Sequence, residues 1–286
     1  MSNITTKPLQ LLGSALALLT WAYWPTLAFL FEKWLGDPQY SHGFLVPAFS
    51  GYLLYQNRDR FTFSQFRPLP VIGGLILAMA GLLRVLAGGL LFHQLDAISL
   101  LLALLGVAVS FGGVRLMKLT APAILFLAFA IPLPYELERN VGGPLKQSAT
   151  FASTYLLQTF GFPAIAEGSL ILIDDVKLGV VDACSGLKML MTFAAFSVGA
   201  VLLNQRTWFE RGMVLLGIVP IAMLTNILRI TATGVSHTFV HDKAVNATLH
   251  DVYGWCMMPL GLALLGVELW VLKRLVVTEP GRGPNA

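Results

Sequence analysis

Four short polar clusters in an otherwise apolar chain carry the side chains that could do chemistry. They are Ser41-His42-Gly43, the segment 182–186, the segment 226–229 and His250-Asp251. Cys184 in the second cluster is a candidate nucleophile, because a helix N-terminus directly after it would favour the reactive thiolate. The alternative is a small buried residue at a tight helix start. His250 can serve as a general acid or base at neutral pH. Because a cysteine and a histidine are the usual pair for thiol acyl transfer, this pair makes acyl transfer the first chemistry to consider.

Arg229 is the most informative charged residue of the chain. It lies about 25 Å along a predicted apolar helix from Gly212, which places it near the outer boundary of the hydrocarbon. An arginine inside a membrane span is costly and by default indicates a functional site. The structural alternative is a salt bridge to Asp182 or Asp251 that only ties two spans together. Asn226, one turn earlier, would orient the guanidinium or bond to a neighbouring helix.

Two other functions compete with acyl transfer. His237 and His241 are spaced i, i+4 and, with His250, could hold a metal ion in an intramembrane metalloprotease. However, no acidic residue lies between the first two histidines, where the metalloprotease motif has its catalytic glutamate. A polytopic transporter is the other alternative, although its polar residues should lie deep in several spans, and here they gather at one face.

The composition places these clusters in a membrane protein. Of the 286 residues, 56% are hydrophobic and 12% charged, whereas about 25% charged residues are typical of a soluble domain. Only two cysteines are present, which excludes a disulfide scaffold. No basic stretch with interleaved aromatic residues indicates nucleic-acid binding. We therefore predict an all-α polytopic integral membrane protein embedded in the lipid bilayer.

Apolar runs predict about eight transmembrane helices. The runs cover residues 9–31, 44–55, 71–87, 95–111, 119–133, 187–203, 213–235 and 252–272. Polar residues interrupt the apolar face of residues 145–160, which predicts one interfacial helix. The β-branched runs 170–173 and 176–181 flank Asp174-Asp175 and predict a small β-hairpin on the outer face.

The distribution of charge predicts the orientation of these spans. With a cytoplasmic N-terminus, most of the 19 Lys and Arg residues fall in cytoplasmic loops, as the positive-inside rule requires. Both termini are then cytoplasmic, and all four polar clusters lie on the outer face. Residues 278–286, with two Pro and two Gly, are expected to form a disordered cytoplasmic tail. The predicted location is the cell (inner or cytoplasmic) membrane, crossed many times.

Five separated pieces of the chain resemble, in order, the exosortase/archaeosortase family of membrane cysteine transpeptidases. They are residues 40–47, 131–134, 182–188 and 226–230, and His250 with Gly254-Trp255. The resemblance extends from about residue 9 to 275, so residues 1–277 are expected to form a single exosortase-like transmembrane domain. It implies that the catalytic residues are Cys184, Arg229 and His250, with Asn226, Ser185 and Asp182 in support. Ser41-His42-Gly43 matches a family feature to which no role is assigned, and neither His237 nor His241 matches a family position.

The resemblance implies the processing of surface-destined proteins that carry a C-terminal sorting signal. Such a signal consists of a short motif, a transmembrane helix and a basic tail. Cys184 would attack the scissile carbonyl at the outer interface and form a thioester, and His250 would protonate the leaving amine. Arg229 would stabilise the thiolate or the oxyanion. Neither a metal ion nor another cofactor is expected.

Overall fold

A computed structural model describes residues 6–61, 65–173, 176–180, 186–203, 207–240 and 242–275. These residues form nine α-helices and three short β-strands, in two compact units that divide between Leu133 and Pro134. Several residues of the sequence predictions lie outside the described residues, namely Asp174, Asp175, Asp182, Cys184, Ser185, His241 and the tail 278–286.

The regular elements among the described residues of the first unit are all helices. Its helices are α1 (Thr6–Ala22), α2 (Trp24–Gly36), α3 (Leu45–Gln56), α4 (Pro70–Gly89) and α5 (His93–Phe126), with 3₁₀ turns at Pro38–Phe44 and Leu127–Ala130. Gly73 of α4 leaves room for the Ser110 side chain of α5, so the two helices pack closely. A core of Leu30, Leu101 and Ile124 joins α2 to both parts of α5.

The first predicted span, residues 9–31, is a broken helix. α1 and α2 meet with a bend of 65°, and Pro25 in the first turn of α2 has no N–H to continue the hydrogen bonding of α1. Arg84 of α4 donates to the carbonyl of Ala22 across 2.6 Å and lies 3.9 Å from the carboxylate of Asp96. The hydrogen bond from Arg84 thus satisfies the carbonyl of Ala22 at the end of α1.

The predicted spans 95–111 and 119–133 belong to one kinked element. α5 and the 3₁₀ turn after it run from His93 to Ala130, and the backbone is non-helical at Gly113, with φ 63° and ψ −157°. Glycine adopts this conformation readily, whereas a side chain would be strained there. The carbonyl of Arg67 also occupies the place that a Cβ at Gly113 would take. The two apolar runs therefore lie in two helical segments that the kink at Gly113 separates.

The prediction of eight spans is not supported, although the helical membrane class is confirmed. Within the described residues, four helices are long and apolar enough to cross a membrane, or up to five if the bent α1–α2 pair counts as one span. They are Pro70–Gly89, His93–Ala130, Trp208–Phe239 and Ala244–Leu275. The predicted span 44–55 corresponds to α3, whose 12 residues extend only about 18 Å. The other predicted spans fall in helices that are shorter or kinked, and whether each of them crosses the membrane stays a prediction.

The second unit combines helices with one small sheet. Its elements are α6 (Tyr135–Thr159), β1 (Ala164–Glu167), β2 (Leu170–Ile173), β3 (Val176–Gly179), α7 (Leu187–Leu203), α8 (Trp208–Phe239) and α9 (Lys243–Leu275). The sheet is antiparallel in the order β1-β2-β3. Pairing of β2 with β3 confirms the predicted hairpin, and β1 is a third strand that the sequence pattern did not predict. Leu157, Ile171, Ile173 and Ile230 pack the sheet against α6 and α8.

α6 is longer than the predicted helix 145–160, because it begins at Tyr135. Its buried residues include Ala149, Ser153 and Leu157, spaced by one turn, and Ser153 donates to the carbonyl of Ile227 in α8 across 3.3 Å. Phe151 and Tyr155 are exposed. Exposed aromatic residues are typical of the membrane–water interface. The interfacial position of α6 stays a prediction.

Candidate active site

α8 carries two buried polar side chains on one side of the helix. Asn226 is 0% exposed and Arg229 is 6% exposed. Residues three apart are neighbours on a helix surface, so both side chains project in similar directions. A guanidinium inside a long apolar helix is costly unless other polar groups bind it. α9 supplies one such group.

The Arg229 guanidinium contacts the imidazole of His250. Nη2 of Arg229 lies 3.3 Å from Nε2 of His250. Because a guanidinium can only donate hydrogen bonds, Nε2 is the acceptor and carries a lone pair. Nδ1 then holds the ring proton and faces Oδ1 of Asp251 at 3.5 Å. The atom of His250 that can accept a proton therefore lies beside the buried arginine, while Asp251 is largely exposed to its surroundings.

A second hydrogen bond fixes α8 against α9 near this pair. The hydroxyl oxygens of Ser236 and Tyr253 are 2.6 Å apart, and Ser236 also donates to the carbonyl of Ala232 across 2.8 Å. Since Ser236 has one proton, Tyr253 donates to Ser236. Tyr253 follows His250 by one turn of α9, so this bond helps to fix the position of His250 along the axis of α8. This role of Tyr253 was not predicted from the sequence, where its i, i+3 spacing from His250 was the available signal.

Asn226 lies against Gly186, the residue that directly precedes α7. Gly186 accepts a hydrogen bond from the N–H of Leu190 across 2.8 Å, and its φ of +83° is a conformation that favours glycine. A Cβ at Gly186 would lie 3.3 Å from Nδ2 of Asn226. The amide of Asn226 therefore packs on the start of α7. The predicted site residues Asp182, Cys184 and Ser185, which immediately precede Gly186, lie outside the described residues.

The remaining candidates of the second unit are placed as follows. His237 lies in the last turn of α8, and His241 lies outside the described residues. The thiol of Cys256 in α9 is exposed. Among the described residues, no group of three or more His, Cys, Asp and Glu side chains is arranged to hold a metal ion. The described chain thus brings His250 to Arg229 and Asn226 to the start of α7.

The first unit contains the two other pieces that resemble the family, and they contact each other. The Tyr40 hydroxyl accepts a hydrogen bond from the N–H of Leu133 across 3.1 Å. Nε2 of the buried His42 lies 3.2 Å from the carbonyl of Phe129, so this nitrogen carries the ring proton. Both side chains bind backbone groups in or just after the 3₁₀ turn Leu127–Ala130. This geometry gives the piece around His42 a structural role in the first unit.

Comparison with known proteins identifies the family. The searches of curated proteins and of solved structures each found no match. The family model described as transmembrane exosortase matches residues 34–267, a range that includes all five of the pieces described above. This family implies a membrane enzyme of the transpeptidase type that acts on protein substrates. The chain therefore belongs to the transmembrane exosortase family.

Proposed function

We propose that this chain is a cysteine transpeptidase that cleaves C-terminal sorting signals of surface-destined proteins at the outer face of the cell (inner or cytoplasmic) membrane. The signal consists of a short motif, a transmembrane helix and a basic tail. Cys184 is the nucleophile, His250 the general acid and base, and Arg229 the electrostatic stabiliser. The observation that carries the proposal is the contact of buried Arg229 with His250 in a chain of this family.

Three helices of the second unit contribute to the same region. Gly186 at the start of α7 lies against Asn226, which precedes Arg229 by one turn of α8. His250 of α9 reaches the same arginine. Cys184 stands two residues before Gly186 in the sequence. This neighbourhood supports the pairing of the cysteine with the histidine, with Asn226, Asp182 and Ser185 in supporting roles.

The proposed reaction has two steps, and His250 moves one proton in each of them. Nε2 of His250 takes the proton of the Cys184 thiol, and the thiolate attacks the carbonyl carbon of the scissile peptide bond. The C–S bond forms, the C–N bond breaks, and Nε2 passes the proton to the leaving amine nitrogen. An acceptor nucleophile then gives its proton to Nε2 and attacks the thioester carbonyl, the C–S bond breaks, and Nε2 returns this proton to the sulfur of Cys184. Nε2 has a single lone pair, which accepts from Arg229 in the structure, so the mechanism requires the guanidinium to release Nε2 as the thiol proton is transferred.

Arg229 suits the stabilisation of negative charge in this reaction. A guanidinium has five N–H donors in a fixed plane, so once it releases Nε2 of His250 it can donate to the tetrahedral oxyanion. Burial keeps water from competing for these donors. Removing one oxyanion donor typically lowers the rate by a factor on the order of 100 to 1000. A contribution of that size is expected of Arg229.

The test follows the processing of a co-expressed protein that ends in a motif, a transmembrane helix and a basic tail. We expect the wild-type chain to shorten this protein, and Cys184→Ala to leave it intact at wild-type membrane abundance. Cys184→Ser should also fail, because a hydroxyl is far less acidic than a thiol. Cys256→Ala is the matched control, since its thiol is exposed and about 9 Å along α9 from His250.

A covalent intermediate gives the experiment a second readout. Hydroxylamine cleaves thioesters, so it should release the substrate fragment from the wild-type chain and from Cys256→Ala, but Cys184→Ala should hold none. Full processing by Cys184→Ala would remove the proposed function. Loss of activity in Cys256→Ala but not in Cys184→Ala would mean that Cys184 is not the nucleophile.

A further inference from the structure

The Arg229 guanidinium packs against the backbone of α9 at Gly254. A Cβ built on Gly254 would lie 2.9 Å from Nη2, 3.2 Å from Cζ and 3.5 Å from Nε of Arg229. Real Cβ atoms almost never approach another heavy atom as closely as the first of these distances. Gly254 follows His250 by one turn on the same helix. Because Gly254 has no side chain, the Arg229 guanidinium can occupy the space beside the His250 imidazole.

We propose that Gly254 is a positioning residue, whose lack of a side chain lets the Arg229 guanidinium lie against α9 and reach His250. This inference rests on the proposed function only for its activity readout. The contact itself is a property of the second unit and can be measured on protein that processes nothing.

A methyl group at Gly254 should move Arg229 while α9 remains intact. The atoms nearest to the added Cβ are at the end of a long flexible side chain, so the guanidinium can turn away. Alanine is also a better helix former than glycine. Gly254→Ala should therefore reach wild-type membrane abundance and thermal stability. A displacement of about 1 Å at a catalytic group can lower the rate about 100-fold, and we expect a loss of this order in processing.

Gly266→Ala is the matched control on the same helix. A Cβ at Gly266 would meet no atom within 4 Å. The substitution makes the same change in helix propensity without approaching Arg229. It should leave abundance, stability and processing at the wild-type level.

The structural readout is the ring ¹⁵N NMR signal of His250 in protein labelled at histidine. The signal is assigned with His250→Gln. Gly254→Ala should shift it in the direction seen for Arg229→Ala, and Gly266→Ala should leave it unchanged. In an Arg229→Ala background, Gly254→Ala should cause no further shift, because the side chain that it displaces is already absent.

The outcomes separate this inference from the proposed function. An unchanged His250 signal in Gly254→Ala, or failure of that variant alone to accumulate, would overturn the inference. A shifted signal with wild-type processing would show that Gly254 positions nothing that the reaction needs, and would overturn it as well. If the wild-type chain processes no substrate, the proposed function fails, and the His250 signals alone decide whether Gly254 positions Arg229.

Discussion

Nη2 of Arg229 donates to Nε2 of His250 across 3.3 Å and so joins the two longest apolar helices of the second unit. The arginine is nearly enclosed, whereas the imidazole is partly open. A buried donor and a half-buried acceptor of this kind suit a site that must hold charge and still exchange a proton. A salt bridge that merely ties helices together would not require a planar guanidinium.

The first prediction separates these two roles of Arg229. If it only ties spans together, Arg229→Lys should be tolerated and Arg229→Ala should lower the amount of protein in the membrane. If it is catalytic, lysine should fail almost as badly as alanine, because an ammonium cannot reproduce the planar fork. We expect the second result, with both variants losing about 100-fold or more in processing at near wild-type abundance. Processing assays normalised to membrane abundance measure both quantities, and an active Arg229→Lys would support the structural role.

His250→Ala should give a stable but inactive protein. A general acid and base contributes a factor of about 100 to 10,000, so processing should fall by at least the lower figure. His237→Ala and His241→Ala are the controls and should retain activity. An enzyme that is inhibited by chelators and requires His237 and His241 would instead favour the metalloprotease alternative.

Tyr253→Phe should destabilise the α8–α9 pair without removing a catalytic group. The substitution deletes the bond to Ser236 and is expected to cost about 1 kcal/mol, seen as a lower melting temperature in detergent. Tyr155→Phe is the control, since that side chain is exposed on α6. Equal melting temperatures of the two variants would mean that the Ser236 bond contributes nothing to stability.

Much of the second unit could be predicted from the sequence, because its signals are local. The runs 213–235 and 252–272 fall inside α8 and α9, and the hairpin followed from two β-branched runs. The start of α6 at Tyr135 was missed because Gly142-Gly143-Pro144 reads as a break. In the structure the helix runs through this segment, and Gly142 lies near the side chain of Leu187 in α7.

The number of complete crossings could not be counted from hydropathy alone, because it also depends on backbone geometry. Arg115 and Lys118 separate the apolar runs 95–111 and 119–133, and the backbone kink that divides the two helical segments lies nearby at Gly113. The contact of Arg229 with Gly254 was equally hidden, since it depends on how two distant helices cross. The placement of Cys184 stays a prediction.

Reporter fusions test the predicted orientation. With cytoplasmic termini, fusions after residues 62 and 208 and at the C-terminus should report the cytoplasm, and fusions after residues 140 and 242 should report the outer side. The physical reason is the excess of Lys and Arg in the predicted cytoplasmic loops. An external signal at residue 208 or at the C-terminus would overturn the orientation, and with it the outer-face position of the proposed site.

The last prediction contrasts His42, which is buried, with His250, which is half-buried. Both belong to the pieces that resemble the exosortase family. In the first unit, Nε2 of His42 donates to the carbonyl of Phe129, whereas Nε2 of His250 accepts from Arg229. A glutamine amide can replace a donating Nε2 but cannot carry a proton between groups. His42→Gln should therefore keep near wild-type abundance and activity, while His250→Gln should be abundant and inactive.

His42→Ala should lower abundance, because it leaves a carbonyl without this donor, at a cost of about 1–3 kcal/mol. Membrane abundance and processing of the three variants are measured together, with the co-expressed substrate present throughout. If His42→Gln were abundant but inactive, His42 would exchange protons in the reaction, and the structural role assigned to it in the first unit would be wrong.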